Sequence, residues 1–326
     1  MRKSADNGVT WSTIGGVQGD EYDVNGAFAP ITRQGRGTVF GTVIYIPYFR
    51  QTVFGVGYTG EISILRFDMS SDTWLAEWTG GPALINFCWR AEVEFDSTGA
   101  GTVVFDDYDY APPSYNNVKQ VNYVSISSVG VWGAKTTLTN FLQPSSQTSY
   151  TEPIYDSSDN LHVFYSVENT TSGLQDIREL NSGIVFDNTN YGAAFRNFYC
   201  TIPPKLFEVL GVQQVGLPYV DSDFFGSDYV MGVRYAPTPV NSAFWITEPY
   251  TAIGENPIHS ACSDGTDLTI QTTYFDGTWL IRRGDLVDGV WSALTTILST
   301  GLGFSVSAAS TIVVVPDAGI AMDTTG

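Results

Sequence analysis

Six carboxylates of this chain fall beside or inside expected strands and could do acid–base work: Glu92, Glu94, Asp106, Asp107, Glu152 and Glu248. Two such groups flanking a sugar can cleave a glycosidic bond. One protonates the leaving oxygen while the other attacks the anomeric carbon or activates a water. Arginines offer a second chemistry. Arg50, Arg90, Arg178 and Arg234 lie in different segments, and guanidinium forks from separate elements can clamp a carboxylate. No spacing selects a set among either group.

His162 and His259 fall in expected strands with no Cys or Glu at metal-binding spacing, so they read as satisfied strand residues. No Gly-x-Ser-x-Gly elbow supports a serine-hydrolase triad. Asp106-Asp107-Tyr108-Asp109 gathers oxygens of the kind a hard cation prefers. Ca2+ is therefore the one cofactor the sequence suggests. The string lacks the spacing of a calcium loop, so a solvated turn is the first reading and no metal site is assigned. Tyrosines are the stronger binding signal. Tyr48, Tyr108, Tyr110, Tyr115 and Tyr250 lie in or beside segments containing Pro and Asn, with Arg50 close to Tyr48. Such rings stack on sugar faces and anchor interfaces. These five and Arg50 are the expected ligand-binding residues, and no catalytic residue is singled out.

Strands must position all of these groups. Aromatics make up 14% of the chain and Gly contributes 33 residues, whereas lysine occurs only at 3, 119, 135 and 205. That bias towards Tyr, Phe, Val, Thr and Gly favours sheets over helices. Apolar alternations separated by Asp/Ser/Gly turns recur. Ala91–Phe95 and Thr102–Phe105 flank one such turn, Glu152–Tyr155 and Leu161–Tyr165 a second. Leu217–Val220 and Tyr229–Val233 flank a third, Ile258–Cys262 and Leu268–Thr272 a fourth. With weaker copies, hairpin turns begin near 34, 96, 156, 221, 263 and 309, a spacing that suits blade-forming repeats.

Residues 4–11 read Ser-Ala-Asp-Asn-Gly-Val-Thr-Trp. Asp6 can cap a turn, Gly8 supplies a positive φ, and Thr10 and Trp11 begin a strand. The octet resembles the Asp-box, or BNR repeat, of sialidase-like β-propellers, through Ser4, Asp6, Gly8, Thr10 and Trp11. In such families the Asp-box is a structural staple away from the catalytic face. The resemblance implies a six-bladed propeller. It also implies a glycosidase with three arginines, a Tyr/Glu nucleophile pair and an Asp acid/base. The Arg-Ile-Pro string of that family is absent; Tyr45-Ile-Pro-Tyr48 stands nearest, with Arg50 beyond it.

The expected fold is therefore all-β: one propeller over 1–326, of about six four-stranded antiparallel blades. Residues 303–326 leave the last blade half built, and the N-terminal Asp-box hairpin, within 1–15, completes it and removes exposed edges. Residues 188–215 carry no clear hairpin signal; Thr201-Ile-Pro-Pro204 interrupts them, and they read as an inter-blade insertion. The three cysteines, at 88, 200 and 262, read as buried free thiols.

A net charge of −19 repels phosphate backbones and argues against nucleic-acid partners. No apolar run is long enough to insert in a membrane, and Met1-Arg2-Lys3 leads into the octet without a signal peptide. The main expectation is a non-catalytic recognition or structural propeller, extracellular or on a virion surface. In its simplest form it is a phage tail-fibre, tail-tip or capsid-surface protein. Its partners would be host glycans or neighbouring structural proteins, with a homo-oligomer inside an assembly. The alternative is a sialidase-like glycosidase or polysaccharide depolymerase.

Overall fold

The computed structural model describes residues 2–3, 12–13, 37–53, 59–84, 88, 91–109, 118–138, 151–168, 175–186, 197–198, 203–222, 229–240, 245–251, 255–275 and 279–300. The described residues contain strands and turns and no helix. The chain divides into two compact units, Met1–Pro153 and Ile154–Gly326.

β1 (Arg2–Lys3) and β2 (Ser12–Thr13) pair antiparallel on either side of the octet. The octet itself, with Ser4, Asp6, Gly8, Thr10 and Trp11, lies outside the described residues, as do 301–326. Five larger sheets follow in chain order. Sheet I holds β3 (Thr38–Phe40), β4 (Val43–Val53), β5 (Thr59–Asp68), β6 (Thr73–Trp74) and, against β5, β7 (Ala83–Leu84). Sheet II holds β8 (Ala91–Phe95), β9 (Gly101–Asp109), β10 (Val118–Ile126) and β11 (Thr136–Thr137). Sheet III holds β12 (Thr151–Tyr155), β13 (Leu161–Glu168), β14 (Gln175–Glu179) and β15 (Gly183–Phe186). Sheet IV holds β16 (Asn197–Phe198), β17 (Lys205–Val209), β18 (Val212–Ser222), β19 (Tyr229–Pro237) and β20 (Ile246–Thr251). Sheet V holds β21 (Glu255–Ser263), β22 (Leu268–Phe275), β23 (Trp279–Val287), β24 (Val290–Trp291) and β25 (Thr295–Thr300). Each sheet is built on a four-stranded antiparallel meander, the unit from which a propeller blade is made.

The turns show why these segments fold locally. Asp96 N–H donates to Ala100 O at 2.8 Å and Gly99 N–H to Asp96 O at 3.1 Å, while Asp96 Oδ1 accepts from Ala100 N at 3.0 Å. Asp156–Asn160 repeats the same three bonds at 3.0, 3.0 and 2.8 Å. Ser127–Val131 repeats them again, with Ser127 Oγ as the side-chain acceptor at 3.0 Å. The fourth residue is left-handed each time: Gly99 at φ 82°, Asp159 at 60°, Gly130 at 85°. A short polar side chain that accepts backbone N–H groups and a residue tolerant of positive φ are the chemistry of such turns.

Sheet IV begins inside the stretch read as an inter-blade insertion. Val209 pairs with Val212 across Leu210–Gly211, with φ 52° and 74°, a two-residue hairpin that matches strand twist. Residues 205–210, which the sequence allows as one helical turn or a short strand, begin with this first strand, Lys205–Val209. In sheet I the first described hairpin turns at Gly41–Thr42, between Phe40 and Val43; the turn expected near 34 lies outside the described residues.

In the first unit, sheets I and II share a core. Phe95 meets the rings of Tyr45 at 4.4 Å, Phe40 at 5.6 Å and Trp78 at 6.4 Å, contacts worth roughly 0.5–1.5 kcal/mol each beyond burial. Trp132 Nε1 donates to Thr79 O at 3.0 Å. In the second unit, Phe207, Val233 and Tyr235 of sheet IV pack on Ala261, Leu268, Ile270 and Leu286 of sheet V. Sheet III meets sheet IV where Phe164 and Trp245 contact edge-on at 5.8 Å. Cys88 and Cys262 are buried free thiols; Cys200 lies outside the described residues.

Candidate functional site

A four-stranded meander sends its first and third connections to one end and its second connection to the other. Several sequence candidates fall at the second-connection end of their own sheets. Arg50 is in the last third of β4, and Asp106, Asp107 and Tyr108 close β9. Glu92 and Glu152 are each the second residue of a first strand, and Tyr250 is next to last in β20.

Glu92 pairs with Val104, and the β8–β9 register is regular. Asp106, two residues beyond Val104, is therefore diagonal to Glu92 on the same sheet face, at the roughly 7–8 Å typical of such neighbours. Both carboxylates are buried, Glu92 at 4% exposure and Asp106 at 0%. Cys88 Sγ lies 3.6 Å from Asp106 Oδ1. Glu152 is also 0% exposed. It stands four residues before the turn acid Asp156, just as Glu92 stands four before Asp96. The same register on consecutive first strands thus carries a buried carboxylate twice. Withdrawing a carboxylate from water costs several kcal/mol and adds little net stability even when it is paired. A buried carboxylate at the end of a strand is a candidate for chemistry.

The remaining carboxylates are engaged differently. Glu94 Oε2 accepts from Thr38 Oγ1 at 3.0 Å, and Asp107 forms an ion pair with Lys135 at 3.3 Å. Glu248 sits in β20 opposite Val233. Arg50 reaches Glu61 at 3.7 Å with its side chain 43% exposed, the one expected ligand-binding residue whose side chain is both described and open to solvent. Tyr48 is 1% exposed and donates its hydroxyl to the Glu77 carboxylate. It is a core residue and offers no face to a sugar. β4 is covered on both sides there, with Pro47, Tyr48 and Phe49 all buried, so its Pro and aromatics mark a two-sided interior. Tyr108 and Tyr250 are placed in their strands by backbone pairing, opposite Lys119 and Met231. Tyr110, Tyr115 and Arg90 lie outside the described residues. Arg178 and Arg234 sit towards the third connection of their sheets, the opposite end from that of Arg50 in sheet I. His259 lies in β21.

One polar cluster escaped the sequence. His162 Nδ1 is 3.2 Å from Glu179 Oε1 and its Nε2 is 3.5 Å from Asp156 Oδ2, with all three side chains buried. Glu179 Oε2 also accepts from Asn181 N at 2.9 Å and Ser182 N at 2.7 Å. Asp156 and Glu179 are far apart in sequence, and only the β13–β14 pairing unites them; no local motif announces it. Among the described residues, no group of three or more His, Cys, Asp or Glu side chains is arranged to hold a metal ion. The cluster fastens sheet III: two strands and a turn are tied through one imidazole.

No family model and no curated protein matches the chain. Similar solved structures have low identity. An ulvan lyase from a new polysaccharide lyase family is 10% identical over 81% of this chain and 71% of that one, with a TM-score of 0.45. An endo-arabinase from Bacteroides thetaiotaomicron is 12% identical over 84% and 98%, with a TM-score of 0.40. A protein of unknown function from Dyadobacter fermentans is 8% identical over 82% of each chain, with a TM-score of 0.48.

Proposed function

We propose that the chain is a carbohydrate-cleaving β-propeller, a glycosidase or polysaccharide depolymerase, that works at the second-connection end of its sheets. On this reading the five described meanders are blades of one domain over 1–326. The octet at Ser4–Trp11 is an Asp-box, and its hairpin joins 303–326 in the closing blade. One observation supports the reading most: buried Glu92 and Glu152 recur at the same register of consecutive first strands, with Asp106 diagonal to Glu92. Glu92, 4% exposed, and Asp106, diagonal to it on the same sheet face, are the assigned pair, and Glu152 holds the matching position in sheet III. Two-carboxylate cleavage then assigns proton transfer to one group and attack, directly or through water, to its partner.

The part-exposed Arg50–Glu61 pair at the same end of sheet I supports a second reading, glycan recognition without cleavage, as on a phage or other extracellular particle. The deciding experiment is a panel of polysaccharides assayed for new reducing ends or unsaturated ends. Cleavage lost in Glu92→Gln with binding retained supports the enzyme. Binding with no cleavage of any member supports recognition.

A further inference from the structure

Three turns of the second unit meet at the tight-turn end of sheets IV and V, opposite the end described above. Leu210 N–H donates to Asp288 Oδ1 at 2.9 Å, which ties the β17–β18 turn to the β23–β24 turn. Glu208 N–H donates to Thr266 O at 2.8 Å, which brings in the β21–β22 turn. Four apolar side chains stand out around these tips: Leu210 at 80% exposure, Val212 at 50%, Val287 at 44% and Val290 at 70%. Turn tips ordinarily carry Gly, Asn, Asp or Ser.

Leu210 is the telling member. It holds φ 52°, a left-handed conformation that costs a residue with a bulky side chain about 1–2 kcal/mol. Asn or Gly would make the same turn without that cost. With most of its surface in water, the leucine side chain adds little burial to the fold of its own chain. Strain held at an exposed apolar residue points to a contact made outside the chain. The rim is acidic. Asp264 and Asp288 are exposed, and Asp267 and Glu208 are partly so. Burial first, then the charges of Asp264, Asp285 and Asp288, push the Asp267 carboxyl above its usual range. The cation Arg283 is already paired with Asp285 at 2.9 Å.

We propose that this surface docks a partner protein segment that is apolar at its centre and flanked by Lys or Arg. Apolar contact would supply the affinity and the acidic rim the steering and selectivity. A second copy of this chain fits poorly, because it would bring the same acidic rim and a net charge of −19.

The test uses the full chain and three labelled twelve-residue peptides, read by fluorescence anisotropy. One has a Leu/Val centre with Lys flanks, one the same centre with Glu flanks, and one a Ser centre with Lys flanks. The first alone is expected to bind, more weakly as salt rises. Leu210→Asn and Val290→Thr should each weaken it by about tenfold, the worth of one buried aliphatic side chain. Leu210→Asn should leave the melting temperature unchanged or higher, so lost binding is not lost fold. Absence of binding by the first peptide, equal binding of all three, or indifference to Leu210→Asn would overturn the proposal. A dimer in sedimentation that Leu210→Asn dissolves would also overturn it, assigning the surface to a second copy.

Discussion

His162 Nδ1 lies 3.2 Å from Glu179 Oε1, and neither side chain is more than 1% exposed. The contact joins β13 to the end of β14, and Asp156 closes the cluster from the turn before β13. Removing one member of a buried polar pair leaves the other desolvated without compensation, at about 3–5 kcal/mol. Glu179→Ala should therefore lower stability by an amount in that range, measured by urea unfolding. His162→Phe, which removes the ring nitrogens but keeps an aromatic ring, should also destabilise, since Glu179 and Asp156 then lose a shared partner. A Glu179→Ala protein as stable as the parent would show that the cluster fastens nothing.

Acid should act on sheet III through Asp156. Burial alone would raise its carboxyl, but hydrogen bonds from Asn160, Ser158 and His162 outweigh it and hold the group below the usual carboxylate range. A group whose folded-state value is depressed contributes stability above its unfolded value, near 3.9 for Asp. That contribution disappears as pH falls through the lower, folded-state value. Melting temperature followed downward from about pH 5 should drop below about pH 4, and Asp156→Asn should make this limb shallower. An identical acid limb in the variant would contradict the assignment.

Asp68 offers a local check on the same physics at the surface. The side-chain hydroxyl and backbone N–H of Ser70, with the hydroxyl of Ser71, lower its carboxyl to about 2. Its signal in an NMR titration should stay that of the ionised form until well below pH 3, and Ser70→Ala should move its midpoint up towards the ordinary value near 3.9. An Asp68 that titrates at the ordinary value in the parent protein would contradict the hydrogen-bond geometry.

The three matched turns predict different tolerances at one position. Gly99 holds φ +82°, and a Cβ there would stand 2.9 Å from Phe40 Cε1. Gly99→Ala should cost about 1–2 kcal/mol through the left-handed backbone, with the ring contact adding to it. Asp159 occupies the equivalent place at φ 60°, so Asp159→Gly should change stability by less than about 1 kcal/mol. Thermal melts of both variants measure the contrast; equal losses would mean the turns are not equivalent.

These elements show what the sequence could reveal. The turns at 96–100 and 156–160 were legible because Asp, Ser, Gly and Asn advertise positive φ and side-chain acceptors. The hairpin at Leu210–Gly211 was not, because leucine is a poor turn residue and Thr201-Ile-Pro-Pro204 just before it mimics a linker. Tyr48 looked like a binding residue because Pro47 beside it suggests a loop; in the fold Pro47 sits mid-strand opposite Ile64, and sheet packing covers both faces. Glu92, Asp106 and Glu152 were named among six carboxylates without rank. Their ranking needs burial and register, which alternation alone does not supply. The His162–Glu179 contact joins residues that only strand pairing brings together.

Loss of cleavage in carboxylate variants tests the central proposal most directly. Each of Glu92→Gln, Asp106→Asn and Glu152→Gln is assayed with the parent on any polysaccharide the parent cleaves, with thermal melts confirming the fold. The account predicts that Glu92→Gln lowers kcat by about 10²–10⁴-fold, the usual worth of a positioned acid or base, while substrate binding persists. A parent that binds glycans and cleaves none, or a Glu92→Gln variant with full activity, would contradict it.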